Sequence, residues 1–294
     1  MKKVFITGGT GFIGRNLREQ LADFYNVTAP PSQELDLLDD AHVTGFLKKG
    51  RFDVVIHAAT WNATRTSTKD LTKVSENNLR MFFNLARCAD DYGKMIYCGS
   101  GAEFDREHWR PKMREEDFDI HVPQDPYGFS KYIMAKYIGH VSNIYNLRLF
   151  GVFGKYEDWR IRFISNACAK VVYNLPLTIK QNVFFDYLYI DDLVHISRWF
   201  IENEPKNKIL NVCTGTVHDL LTLAGKVRAI SRKDVDIVIK QDGLGREYSG
   251  DNSKLLSEIG GIAFKCIDDC IAELYAWWLK NKNSIDSSLL LVDS

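Results

Sequence analysis

Apolar residues in this chain fall into short unbroken runs, each followed by a longer stretch in which they recur at helical spacing. The first run, Val4-Phe5-Ile6, breaks at Gly8-Gly9 and leads into a helical stretch through Asn16, Leu17 and Leu21. The same alternation predicts strands at residues 25–29, 54–56, 95–97 and 147–150, separated by helices over 41–49, 71–92 and 126–145. Repeated strand–helix units with continuous apolar strands imply a parallel sheet covered on both faces, a doubly wound, Rossmann-type α/β fold. In such folds ligands sit at the carboxyl ends of the strands.

Beyond residue 155 the rhythm loosens. Helices are expected near 160–173, 191–201, 219–230, 253–259 and 267–281, with strands near 183–189, 209–212 and 235–239. These strands are too few for a second sheet of similar size. The expected organisation is a dinucleotide-binding domain over 1–155 with returning segments at about 182–213. A smaller interleaved lobe over 156–181 and 214–281 closes over the ligand, and residues 282–294 form a tail that either packs locally or is disordered.

The turn after the first strand reads Thr7-Gly8-Gly9-Thr10-Gly11-Phe12-Ile13-Gly14. Glycines are needed where backbone approaches a phosphate closely and where a helix packs tightly on a strand. The helix that follows offers free N–H groups and a partial positive charge to a pyrophosphate. Two spacings overlap: Gly9, Gly11 and Gly14 as G-x-G-x-x-G, and Gly8, Gly11 and Gly14 as G-x-x-G-x-x-G.

Composition narrows the class. The 294 residues are 45% hydrophobic and carry no formal net charge, so no basic surface is expected to grip nucleic acid. No apolar stretch approaches the roughly 18 residues of a membrane span, and Lys2-Lys3 precede a core strand, not a signal peptide. Cys88, Cys98, Cys168, Cys213, Cys266 and Cys270 are scattered mainly through apolar segments. They read as reduced thiols of a cytoplasmic protein, and no metal site is expected.

Candidate chemistry begins at Asp125-Pro126-Tyr127-Gly128-Phe129-Ser130-Lys131. Asp125 suits a helix N-cap and Pro126 the first helical position. Tyr127 and Lys131 then share one helix face, four residues apart. Phenols titrate near pKa ~10, and a fixed cation beside one favours the phenolate. Such a pair can move a proton near neutral pH. Upstream, the fourth strand ends in Tyr97-Cys98-Gly99-Ser100-Gly101, which puts the Ser100 hydroxyl at the ligand crevice.

These residues resemble the extended short-chain dehydrogenase/reductases, the NAD(P)-dependent sugar-nucleotide epimerase, dehydratase and reductase group. The resemblance runs through the glycine turn, Asp36-Leu37, His57-Ala58-Ala59, Asn78, Ser100, Tyr127-Gly128-x-Ser130-Lys131, Arg148-Leu149-Phe150 and Gly154. It continues through Asp186-Tyr187-x-Tyr189-Ile190-Asp191-Asp192-Leu193 and a late element, Gly245-Arg246 with Asp251-x-Ser253-Lys254-Leu255. It implies that Ser100, Tyr127 and Lys131 are catalytic, and that Lys131 also bonds the nicotinamide ribose. Gly8, Gly11, Phe12, Ile13 and Gly14 would hold the dinucleotide, with Asp36-Leu37 at the adenine and Ala58-Ala59 along the groove. Ser100, Gly101 and Arg246 would meet a nucleotide-sugar substrate, Arg246 as a bidentate diphosphate ligand. A homodimer through the long helix before the fourth strand and the Tyr/Lys helix is expected, with Met81, Phe82, Phe83, Met134, Tyr137 and Ile138 as candidates. The loop Thr60-Trp61-Asn62 and Trp159 are candidates to border the substrate.

Departures from the family pattern narrow the reaction. The acids that follow the hydroxyl residue in 4,6-dehydratases are Gly101 and Ala102 here, so dehydration is not expected. Glu103 is one position too far, and in extended chain a one-residue shift turns a side chain to the other side. The cysteine by which the GDP-4-keto-6-deoxymannose reductase also epimerises is replaced by Ala102. Gly151 and Phe185 replace an asparagine and an arginine frequent in the family. The second strand closes in Thr28-Ala29-Pro30-Pro31-Ser32 without the acid that grips an NAD ribose, which favours NADP(H) while leaving NAD(H) possible. Arg15 lies near enough in sequence to reach a 2′-phosphate. The leading expectation is NADPH-dependent reduction of a nucleotide-activated 4-keto-6-deoxy sugar. An NAD-dependent C4 epimerase and a non-catalytic dinucleotide sensor are the alternatives.

Overall fold

The computed structural model describes residues 1–61, 64 and 66–290. Its first half lays down β1 (Lys3–Thr7), α1 (Phe12–Leu21), β2 (Asn26–Thr28), α2 (Asp40–Gly50), β3 (Phe52–His57), α3 (Val74–Ala86), β4 (Tyr92–Ser100), α4 (Pro126–Ile138) and β5 (Ile144–Leu149). With β9 (Ile209–Val212) these strands form a parallel sheet in the order β2-β1-β3-β4-β5-β9. The chain moves outward from β1 to β2 and then returns to the other side of β1 as β3. The topological switch point therefore lies between the carboxyl ends of β1 and β3, where a crevice opens.

Side chains alternate across the sheet. On one face Phe5, Val55 and Met95 bury against Val43 and Leu47 of α2, Phe82 of α3 and Met134 of α4. On the other, Val4, Ile6, Val54 and Ile56 pack with Leu17 and Leu21 of α1. That second cluster runs without a break into the remaining elements.

Those are β6 (Gly151–Phe153), α5 (Phe163–Val172), β7 (Leu177–Asn182), β8 (Phe184–Tyr189), α6 (Ile190–Glu202), β10 (Val217–Asp219), α7 (Leu220–Ser231), β11 (Ile237–Leu244), α8 (Ser253–Ile259) and α9 (Ile267–Lys280). Strand β8 pairs with β6 in parallel and with β10 antiparallel, while β7 and β11 form a parallel pair. Helices α5, α7 and α9 contribute Cys168, Leu223 and Ile271 to the same core as β1.

Several boundaries differ from the sequence expectation. The helix expected over 71–92 is a 3-10 turn capped by Asp70, then α3, then a second 3-10 turn at Ala89–Asp91, and Tyr92 already opens β4. Helix α4 stops at Ile138 with Gly139 as its C-cap, so Tyr145 belongs to β5. Strands β6 and β10 are three residues long and β7 mixes polar with apolar residues, and pattern reading passes over all three. In the tail, Leu290 is buried; Leu291 and Val292 lie outside the described residues, as does Asn62.

Of the six residues expected on the helix surface, Met81, Phe82, Met134 and Ile138 are buried in the protein's own core. Phe83 and Tyr137 are half-buried, with ring centroids 5.1 Å apart in an edge-to-face pair. All six cysteines are unpaired and only Cys266 is exposed. No helix among the described residues is long and apolar enough to cross a membrane.

Candidate active site

The glycine turn is built by steric necessity. Gly8 has φ +70°, and a Cβ there would stand 2.9 Å from the Ala59 backbone at the end of β3. Gly11 is the N-cap of α1 and donates its N–H to the Gly8 carbonyl at 2.9 Å. A side chain at Gly14 would overlap that same carbonyl, so the absence of a Cβ lets α1 start directly against the turn. Gly9 in turn abuts Ala29 just after β2. The Gly8/Gly11/Gly14 spacing thus sets the turn, and the helix N-terminus faces the crevice.

Beside it lies a cavity of ≈490 Å³. Of the residues expected to meet the dinucleotide, Gly8, Gly11, Phe12, Ile13, Gly14, Asp36, Leu37, Ala58 and Ala59 line it, together with Tyr127. Lys131 is not among the lining residues. Asp36 is exposed and accepts the Leu38 N–H at 2.9 Å, forming an Asx turn at the cavity edge. Asn78 holds the opposite wall: its carbonyl accepts the Trp61 N–H at 2.7 Å and the Thr60 hydroxyl at 3.2 Å. Beneath, Thr7 accepts the Ala59 N–H and meets His57 Nδ1 at 2.8 Å. Burial and the nearby Lys131 ammonium push the His57 imidazole down to about 3, so it is neutral.

Trp61 lines the cavity; Trp159 does not, and packs at the edge of the core. Arg15 is held by Glu19 at 3.0 Å with its guanidinium 3.7 Å from the Tyr156 ring centre, and it is absent from the lining.

Ser100, Tyr127 and Lys131 converge because α4 starts close to the end of β4. Asp125 caps α4 by accepting the Gly128 N–H at 2.9 Å, as its position implied. A Cβ on Gly128 would come within 2.8 Å of the Ala102 carbonyl, so glycine permits this approach. Lys131 is buried and donates to the Cys98 carbonyl at 2.9 Å. Its ammonium lies 5.7 Å from the Tyr127 ring centre and 4.5 Å from that of Tyr97. Ser100 Oγ accepts the Ala102 N–H at 3.1 Å.

Glu103 is engaged by other partners. Its side chain is fully buried, accepting from Arg148 Nε at 2.6 Å, from Asn146 Nδ2 at 2.9 Å and from the Ser100 N–H at 3.0 Å. Arg148 is also fully buried, sandwiched near the Phe104 and Phe118 rings. Asp186 is buried too, accepting from Thr214 and the Gly215 N–H, and burial raises its pKa. Both acids therefore serve the fold. Arg246 is exposed and donates to the Arg106 carbonyl at 2.6 Å, bracing the loop after β4.

The family model for NAD-dependent epimerases and dehydratases matches residues 4–213, well over half of the chain. The chain belongs to the NAD-dependent epimerase/dehydratase family. It is 24% identical to a GDP-L-colitose synthase of Yersinia pseudotuberculosis, across 96% of this chain and 99% of that one. It is 23% identical to an ADP-L-glycero-D-manno-heptose-6-epimerase of Brachyspira hyodysenteriae (strain ATCC 49526 / WA1), across 83% and 86%. A GDP-mannoheptose C4 reductase from Campylobacter jejuni, solved with NADP bound, superposes with a TM-score of 0.81 at 21% identity, across 94% and 98%.

For a member of this family the glycine turn predicts a sharp outcome. Gly14→Val drives a side chain into the Gly8 carbonyl. Overpacking of this kind costs about 1–3 kcal/mol, so dinucleotide affinity is expected to fall roughly ten- to hundredfold. Fluorescence titration with NADPH measures it, and wild-type affinity would contradict the steric account.

One cavity residue carries no sequence signal. Glu157 is buried, accepts from the Ser165 hydroxyl at 2.6 Å, and is pushed up to about 8, chiefly by burial, against the opposing effects of Ser165 and Arg162. The folded protein thus holds a proton that the unfolded chain releases near the ordinary value of 4.5. Stability should fall as pH rises through that window and level off above it. Glu157→Gln removes the dependence. Its melting temperature is expected to match wild type near the bottom of the window and exceed it increasingly toward the top; a gap independent of pH would contradict the assignment.

Proposed function

We propose that the protein is an NADPH-dependent reductase of a nucleotide-activated 4-keto-6-deoxy sugar, acting at C4. The observation that carries this reading is that Tyr127 lines the cavity beside the glycine turn, with Lys131 behind it on the same helix and Ser100 at the end of β4, while the neighbouring acid Glu103 is held by Arg148. Dehydration needs acids beside the reacting sugar, and the positions after Ser100 hold Gly101 and Ala102.

The residues fit a dinucleotide. Gly8, Gly11 and Gly14 form a side-chain-free cradle at a helix N-terminus, suited to a diphosphate. Pro30 and Ser32 line the cavity where an acid would repel a 2′-phosphate, in keeping with the NADP bound by the Campylobacter jejuni reductase. The nicotinamide, when bound, supplies hydride to the ketone carbon. Tyr127 gives its phenolic proton to the developing alkoxide, and Ser100 holds the same oxygen by a hydrogen bond. Lys131 stabilises the phenolate left on Tyr127, which regains its proton from solvent. Arg246 and the residues after it would face the substrate's diphosphate; residues 156–181 and 214–281 would form the substrate lobe, and two copies would pair through Phe83 and Tyr137.

The likeness to an ADP-heptose epimerase supports a second reading, in which bound NAD takes hydride from the sugar and returns it. Denaturing the purified protein and identifying released dinucleotide separates them. The reductase is expected to release little and to bind NADPH in preference to NADH. Stoichiometric release of tightly held NAD would overturn it in favour of the epimerase.

A further inference from the structure

Lys131 carries a buried ammonium that forms no ion pair among the described residues, and the buried acid Glu103 is taken up by Arg148. A charge buried in this way is costly unless something compensates it. Two adjacent residues of β4 do so. The Cys98 carbonyl accepts a hydrogen bond from Nζ at 2.9 Å, and Nζ lies over the ring of Tyr97, 4.5 Å from its centre. That is inside the roughly 6 Å within which a ring face attracts a cation. The Tyr97 ring is itself fixed: it is fully buried, with the His57 ring stacked at 5.7 Å and the Phe82 ring edge-on at 5.2 Å. His57 is held in turn by Thr7 at 2.8 Å and is neutral, so it sets no second cation beside Lys131. The Tyr97 hydroxyl is buried and meets no hydrogen-bond partner among the described residues. The part of Tyr97 that engages is the ring.

We propose that Tyr97 is a positioning residue for Lys131, its ring face holding the ammonium where it serves both the Tyr127 phenol and the nicotinamide ribose. An aromatic ring in this place does what an acid could not. A carboxylate at the same distance would cancel much of the ammonium's field, and the phenolate left on Tyr127 would gain little from it. The ring has no net charge: it attracts the cation through its quadrupole and leaves the positive charge in force. The Tyr127 ring centre lies 5.7 Å from the same Nζ, within reach of that field. Tyr97 and Cys98 belong to the strand that ends in Ser100, so one strand positions both the serine and the lysine. The proposal rests on the reading of Tyr127 and Lys131 as the proton-donating pair.

Fluorine on an aromatic ring weakens its hold on a cation while changing its shape little, so a graded series separates this role from packing. Tyr97→Phe keeps the ring and serves as the reference, against which 3,5-difluoro- and 3,4,5-trifluorophenylalanine at the same position are compared. NADPH affinity is titrated, and kcat is measured with GDP-4-keto-6-deoxymannose and its dTDP-sugar counterpart. From the reference to the trifluoro ring both are expected to fall in step, kcat on the order of tenfold, while the melting temperature holds. In a Lys131→Met background the same series should leave NADPH affinity level, because the cation is gone. Affinity and turnover that ignore fluorination, or an equal dependence in the Lys131→Met background, would overturn the proposal. If Lys131→Met loses turnover while the fluorinated series stays level, only this proposal fails. If Lys131→Met binds NADPH and turns over like wild type, the reading beneath it fails and takes the proposal with it. Wild type that reduces neither probe ends the reductase reading alone, and the affinity series still decides the role of Tyr97.

Discussion

Replacing Tyr127 by phenylalanine is expected to lower turnover on the order of 10³-fold, the middle of the range for removing a general acid–base group. The ring keeps its place near Lys131, whose bond to the Cys98 carbonyl does not involve the phenol. NADPH affinity should therefore be retained. That split between lost kcat and preserved binding distinguishes loss of the proton donor from damage to the fold. Near-normal turnover would remove Tyr127 from the mechanism and transfer the acid role elsewhere.

The second large effect concerns stability. Glu103 and Arg148 are both fully buried, and their ion pair ties the turn after β4 to β5. Removing one partner strands an uncompensated charge, at a cost of about 3–5 kcal/mol. Glu103→Ala should thus lower the melting temperature by roughly 6–15 °C. Asn146 and the Ser100 N–H lose their acceptor in the same substitution, which adds to the loss. Glu103→Gln keeps one acceptor, the amide oxygen, within reach of both those groups and should fold better than Glu103→Ala. In both variants the pH profile of the surviving activity should match wild type, because this carboxylate exchanges no proton with substrate. A profile lacking one limb would make Glu103 a catalytic acid or base after all. Differential melts and pH-dependent kcat on the same preparations decide it.

Where the geometry is local in sequence, it is legible there. Tyr127 and Lys131 share a helix face because they are four residues apart, and the capping of α4 by Asp125 follows from its position before Pro126. The glycine turn, Gly8 to Gly14, is a seven-residue steric problem whose solution shows in the spacing. Ala58 and Ala59, which the family resemblance sets along the groove, line the cavity beside Gly8. Contacts that depend on strand order were not legible. Glu103 meets Arg148 across 45 residues because β4 and β5 are neighbours. Nothing in the run Gly99-Ser100-Gly101 announces that Tyr248 will fold back over it. Glu157 enters the cavity only through the bend after β6, and Trp159, two residues on, turns into the core. The pattern carries a helix too far where apolar character continues across its boundary, as at Tyr92 and Tyr145: both are apolar enough to extend a helix and both pair in the sheet. Four of the six helix residues expected at the surface are buried because α3 and α4 lie on the sheet face.

The central claim is that hydride passes from the nicotinamide to the sugar's C4 and stays there. Reduction of GDP-4-keto-6-deoxymannose and its dTDP-sugar counterpart with NADPH deuterated on the transferring face tests this directly, with the product read by NMR. The reductase predicts one deuterium at C4 for each NADPH consumed, and no such label with Tyr127→Phe. Sugar inverted at C4 without net NADPH consumption or label would contradict it and leave the epimerase.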